Sequence, residues 1–226
     1  MKKLALVLGL SLLLIGMGIE LYIMNWLGRE IEEINDRVGM QEVRIMAVEK
    51  QVPQITKYLQ VVNLLSEKTE GRLSAREIVE ISRVIIESCY LYRDLGLTEA
   101  MIFGLIERES NFDPNAVSPA KAYGLMQLLL PTATPHLEKL GFKNITVDLL
   151  MDPVINIKVG IAELVRLRKY WLSEGIDSWY IVFTSYYWGV RATSLLLVEK
   201  GRGLLPSLEY GKGVMELQKK WIERGL

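Results

Sequence analysis

The 226-residue chain has one cysteine, Cys89, and one histidine, His136. A lone cysteine excludes an internal disulfide and any thiolate-rich metal site, and a lone histidine excludes multi-histidine zinc motifs. Net charge is missing as well. The 27 Lys and Arg balance 27 Asp and Glu, and no segment is strongly basic or acidic, which argues against a nucleic-acid surface. Repeats and low-complexity stretches are absent too. Carboxylate chemistry, simple binding or a structural role survive these exclusions. Cys89 is expected to be a small buried hydrophobe, and His136 to be a surface or boundary residue.

Half of the residues are apolar, and they are unevenly spread. After Lys2 and Lys3 the chain runs from Leu4 to Ile19 without a charge, and apolar residues resume after Glu20 as far as Leu27. About 20 helical residues at 1.5 Å each span a ~30 Å hydrocarbon core. Residues 1–27 are therefore expected to be an uncleaved transmembrane anchor, contacting the membrane through residues 4–27. A cleaved signal peptide is the rival, but Gly16-Met17-Gly18 is a poor cleavage site. Tyr22 and Trp26 suit the headgroup belt, and Lys2 and Lys3 mildly favour keeping the N-terminus in the cytoplasm.

The spacing then changes. Apolar residues alternate by three and four through Met24, Leu27, Ile31, Ile34, Val38, Ile45, Val48, Val52, Ile55, Leu59 and Val62, with Gln41 as the polar interruption. Charged residues flank this stripe. Residues 28–72 read as a coiled-coil stalk and linker, which makes a homo-oligomer one reading and an amphipathic helix folded back on its own domain the other. Pro53 predicts a kink or restart at residues 51–54, and Gly71 marks the linker.

From Leu73 onward the pattern is that of a compact helical domain, residues 73–226. Ser74-Ala75-Arg76-Glu77 has the form of a capping box. Helices are expected from there to about Tyr92 and over 98–110, 124–140, 153–173, 177–198 and 212–224, with no strand. On a helical wheel Met101, Ile102, Leu105 and Ile106 form one stripe with Glu109 at its centre, while Glu107 lies opposite. A carboxyl facing the core is held protonated by the cost of burying its charge, which is the state a general acid needs. The same position also suits a buried glutamate that is merely satisfied by a partner.

The segment that follows decides between them. Glu109-Ser110, then Ala122-Tyr123-Gly124-Leu125-Met126-Gln127 and Pro131-Thr132-Ala133, with Asp152-Pro153, Asn156, Gly160 and Ser185-Tyr186-Tyr187-Trp188-Gly189 further on, resembles the lytic transglycosylase family. The resemblance covers about residues 75–195. It implies a mainly α, goose-type lysozyme-like catalytic domain that acts on peptidoglycan glycan strands without cofactor or metal. Carried over by position, Glu109 is the single catalytic acid and then base, Ser110 supports it, and Tyr186 hydrogen-bonds it. Tyr123, Gly124, Leu125, Met126, Gln127 and Tyr187 line the groove, and Asn156 and Gly160 are structural.

The resemblance further implies cleavage of the β-1,4 bond between N-acetylmuramic acid and N-acetylglucosamine with a 1,6-anhydromuramoyl product. The enzyme would sit in the bacterial inner membrane, with its catalytic domain on the periplasmic or cell-wall side. Tyr187 departs from the family, which has asparagine there. Hydrolysis by a goose-type lysozyme mechanism, and a non-catalytic wall-binding scaffold with Tyr187 blocking the groove, are the competing expectations. Asp113 is the nearest second carboxylate, but Asp113-Pro114 reads more simply as the turn that ends the helix.

Overall fold

Two units make up the chain, Met1–Ile55 and Thr56–Leu226. The computed structural model describes residues 2–200 and 209–226, and the side chains of residues 2–16, 19, 23, 50, 199 and 200 fall outside that description. The first unit is the greater part of one helix, α1 (Lys2–Thr69). Among the described residues no helix is long and apolar enough to cross a membrane. The anchor expected over residues 1–27 depends mainly on Leu4 to Gly16, whose side chains lie outside the described residues. The apolar stripe from Met24 to Ile55 is exposed throughout, each of its apolar side chains by 45% or more.

The restart expected at Pro53 does not occur, because α1 continues through it. Proline removes the hydrogen bond to the carbonyl of Glu49 four residues back, but both residues are exposed, and water can satisfy the freed oxygen. The end of α1 belongs to the second unit. Val61 and Leu65 are fully buried in its core, and the Gln60 amide donates to the Arg224 carbonyl at 3.0 Å. The helical unit thus begins at Thr56, ahead of the boundary expected at Leu73.

Most of the expected helices are present. Ser74 caps α2 (Ala75–Leu91) in a complete capping box with Glu77. A 3-10 turn at Arg93–Leu95 leads to α3 (Glu99–Ser110), capped by Thr98. Where one helix was expected over 124–140, a small antiparallel hairpin forms first. Its strands β1 (Ala122–Tyr123) and β2 (Leu128–Leu129) pair Ala122 with Leu129 and Tyr123 with Leu128. Left-handed backbone at Gly124 and Gln127 (φ 74° and 45°) turns the chain between them, and helix starts only at α4 (Leu130–Lys139), with Pro131 in its first turn. A short α5 (Val147–Met151) precedes α6 (Pro153–Ser173), which Asp152 caps. The helix expected over 177–198 is two, α7 (Trp179–Trp188) and α8 (Val190–Lys200), because Gly189 takes φ 79° between them. The last helix is α9 (Glu209–Glu223).

The core is built around α3. Ala100 to Ile106 are all buried, and the rings of Phe103, Phe112 and Trp221 meet one another with centroids 5.0 to 5.6 Å apart. Burying this apolar surface at ~25 cal/mol per Å² is the main force holding α3 against α9. Cys89 is buried as expected, and burial pushes its thiol pKa up.

Candidate active site

Glu109 occupies the last turn of α3, two residues before Asn111 ends the helix in left-handed conformation (φ 50°). Its carboxyl opens into a cleft of about 840 Å³, within the range that holds small ligands. Burial raises its pKa to about 7, and the shift is held there against the opposing pull of a hydrogen bond from Tyr210 and the charge of Arg108. The carboxyl is therefore balanced between acid and base near neutral pH, as a group that must first give and then take a proton requires.

Tyr210 was not expected at this site. It stands near the start of α9, and its hydroxyl donates to Glu109 Oε1. Tyr186, expected to make that bond, donates instead to the Met126 carbonyl at 2.8 Å, so that expectation is corrected. The reason is geometric: Tyr186 reaches the chain just before β2, whereas α9 packs directly along α3. The signal for α9 lies in its glycines. A Cβ at Gly211 would meet the Tyr180 carbonyl oxygen at 2.4 Å, so α9 needs a glycine there to approach α7, and that approach sets the neighbouring Tyr210 over the cleft.

Tyr187 forms the cleft wall rather than plugging it. Its ring stacks on Tyr210 with centroids 4.5 Å apart and planes 15° from parallel. Arg108 lies over the same Tyr210 ring at 5.6 Å. The ring that holds Glu109 is thus flanked by an aromatic face and a cation, each of which restrains its tilt.

The Gly-Leu-Met-Gln segment is mostly out of reach of a ligand's side. Leu125 and Met126 are fully buried and Gly124 is also buried, so the expectation that these side chains line the groove is corrected. They are the packed floor beneath it. Asn156 pins that floor: its Oδ1 accepts from Met126 N–H, and its amide donates to the carbonyls of Tyr123 and Leu150, all at 2.8 Å. A Cβ at Gly124 would meet Asn156 Nδ2 at 2.4 Å, which together with φ 74° demands glycine. Gly160 lies against the Met126 sulfur.

Gln127 does border the cleft, although its amide donates to the carbonyls of Ala116 and Gly124 at 3.0 Å. Tyr123 is half-buried in β1 and does not border the cleft. Ser110 supports the site by donating to the Leu125 carbonyl at 2.8 Å, joining the end of α3 to the floor. Asp113 is the expected turn residue, its carboxylate accepting from Asn115 N–H at 3.0 Å.

A second carboxylate lines the cleft that the sequence did not single out. Glu163 of α6 is buried and accepts from Arg166 at 2.7 and 2.6 Å, and His136 Nε2 lies 2.8 Å from it. Burial alone would raise its pKa, but the bonds from Arg166 and His136 outweigh that and leave it lowered. Both oxygens are occupied, so Glu163 is a fixed anion in the wall rather than a free nucleophile. His136 is consequently buried (7% exposed), not a surface residue as expected.

Residues 93–195 match the family model of the transglycosylase SLT domain. Over those residues the chain is similar to that family. Membrane-bound lytic murein transglycosylase C of Shigella sonnei is 37% identical over 103 residues, covering 43% of this chain and 28% of that protein. The chain therefore spans less than a third of that relative's length. An X-ray structure of an inactive mutant of the lytic transglycosylase Slt from Pseudomonas aeruginosa aligns with 64% of this chain and 24% of that one, at 18% identity and a TM-score of 0.49. The matched segment contains Glu109, the floor, Glu163 and Tyr186, whereas Tyr210 lies beyond it.

Proposed function

We propose that this protein is a membrane-attached lytic transglycosylase that cleaves the β-1,4 bond between N-acetylmuramic acid and N-acetylglucosamine in peptidoglycan, with Glu109 as its only acid and base. The observation that carries the proposal is a single half-buried carboxyl, poised near pH 7, opening into the cleft of an SLT domain. Protonated Glu109 gives its proton to the glycosidic oxygen as the bond from that oxygen to the muramoyl anomeric carbon breaks. The carboxylate then takes the proton of the muramoyl 6-hydroxyl, whose oxygen bonds to the anomeric carbon. Glu109 ends as it began, and the product carries a 1,6-anhydro end.

The surroundings suit a neutral polymer. Rings of Tyr187 and Trp188 border the cleft and offer faces to the apolar C–H surfaces of sugars. Tyr210 stabilises the carboxylate form that the second step uses. Digestion of sacculi with the full chain, followed by mass spectrometry, tests the reading. Anhydro ends, lighter by one water than reducing ends, are expected, and Glu109→Gln should yield none while remaining folded. Reducing ends would instead mean hydrolysis, and no product would mean a wall-binding scaffold.

Attachment runs through residues 4–27, with α1 up to Ile55 acting as a self-associating coiled-coil stalk and the SLT domain on the cell-wall side of the bacterial inner membrane. The uncharged run from Leu4 to Ile19, the exposed apolar stripe and the membrane-bound relative support this part. The protein should remain with the membrane pellet after a high-pH carbonate wash.

A further inference from the structure

We propose that residues 24–55 assemble with two further copies of this chain into a parallel, in-register, three-stranded coiled coil. The proposal rests on the stalk reading above and adds orientation and copy number to it. The exposed stripe is about 48 Å long at 1.5 Å per residue. Soluble proteins seldom leave more than a few hundred Å² of contiguous apolar surface uncovered, and a lone helix gains little stability without burying such a face.

The residue types within the stripe set the number of strands. From Ile31 onward, Ile31, Val38, Ile45 and Val52 occupy one core position of the heptad, and Ile34, Val48 and Ile55 the other, which Gln41 interrupts; ahead of them Met24 and Leu27 hold the same two positions. β-branched residues at the first position with leucine at the second favour two strands. β-branched residues at both, as here, shift the preference to larger bundles, of which three strands is the smallest.

Charge sets the orientation. Arg37 and Arg44 precede the first core position, and Glu42 and Glu49 follow the second. In a parallel, in-register bundle Arg37 meets Glu42 of the neighbouring copy, and Arg44 meets Glu49. An antiparallel arrangement opposes arginine to arginine and glutamate to glutamate. In the single chain Arg37 lies 3.4 Å from Glu33, with both side chains about two-thirds exposed, so exchanging that partner costs little.

Gln41 fixes the register. It is the only polar residue at a core position between Met24 and Ile55, and only in register do the glutamines share one layer and hydrogen-bond one another. A slip of one heptad would bury each amide against isoleucine or valine. The result is three SLT domains at the same end of one bundle, which multiplies the local concentration of clefts over a glycan strand.

The full chain in detergent micelles tests this through Gln41→Cys and the outward-facing control Asp36→Cys, since the native thiol at Cys89 is buried. Under mild oxidation Gln41→Cys should form a covalent dimer and Asp36→Cys should not, and light scattering should give a protein mass of three chains. A mass of one chain overturns both this proposal and the stalk reading. A mass of two chains, or no cross-link at Gln41 in an assembled particle, overturns only the parallel three-stranded arrangement.

Discussion

Replacing Glu109 by glutamine should make the protein more stable, and only above a defined pH. In the folded chain the carboxyl has a pKa of about 7, against an ordinary value of 4.5. A raised folded pKa means that the native state binds this proton more tightly than the unfolded state does. The resulting stabilisation is complete below pH 4.5, is lost as pH rises toward 7, and is gone above that. At ~1.36 kcal/mol per pH unit, the shift corresponds to at most about 3 kcal/mol.

Glutamine keeps the shape and can still accept the Tyr210 hydrogen bond, but it does not titrate. Wild type and Glu109→Gln should therefore be nearly equal in stability at pH 4. At pH 8 the variant should be ahead by about 2 to 3 kcal/mol, or roughly 4 to 12 °C in Tm for a unit of this size. Urea unfolding followed by tryptophan fluorescence, with Trp171 and Trp221 as buried reporters, measures the difference across pH 4 to 8. Every other group titrates alike in both proteins, so the difference isolates residue 109. A gap that stays constant with pH, or that shifts in favour of wild type as pH rises, would refute the claim that burial controls this carboxyl.

Tyr210→Phe removes the donor that lowers the Glu109 pKa. The alkaline limb of kcat/KM, where the acid form is lost, should move upward by about one pH unit, and activity at pH 7 should fall about 10- to 100-fold as the carboxylate loses its support; an unmoved limb would separate Tyr210 from the chemistry. Glu163→Gln breaks a buried contact with Arg166 and His136. Because Arg166 is half exposed (48%), the cost should be about 2 to 3 kcal/mol near neutral pH by urea unfolding. Glu163 has a lowered pKa, so its contribution should fade as pH drops below 4.5, and a cost equally large at pH 3 would contradict that account.

The elements with strong local signals were legible in the sequence. The capping box at Ser74 and the helix ending at Asn111 follow from side chains acting on their own backbone neighbourhood. Helical periodicity put Glu109 on the core-facing stripe of its helix, which is also a local signal, and the motif resemblance singled it out. The misplaced details are long-range. Tyr210 lies 101 residues from Glu109, and the pattern of α9 reveals only that it is amphipathic. Glu163 and His136 lie 27 residues apart on two different helices, and each alone resembles an ordinary surface residue. Residues 124–129 read as helix because their apolar residues fit either period, and the left-handed backbone at Gln127 carried no glycine to announce it.

Under the proposed function, the floor fastened by Asn156 bears on the energetics of glycan capture. Two hydrogen bonds of one buried amide hold the backbone at Tyr123 and Met126, a third ties the same amide to the Leu150 carbonyl, and every polar atom of that side chain is already engaged. This loop loses almost no conformational entropy when a sugar settles above it, so the freedom surrendered on binding belongs to the glycan strand. Affinity should then respond to how stiff the strand already is, with taut, cross-linked peptidoglycan held more firmly than short soluble fragments of the same chemistry.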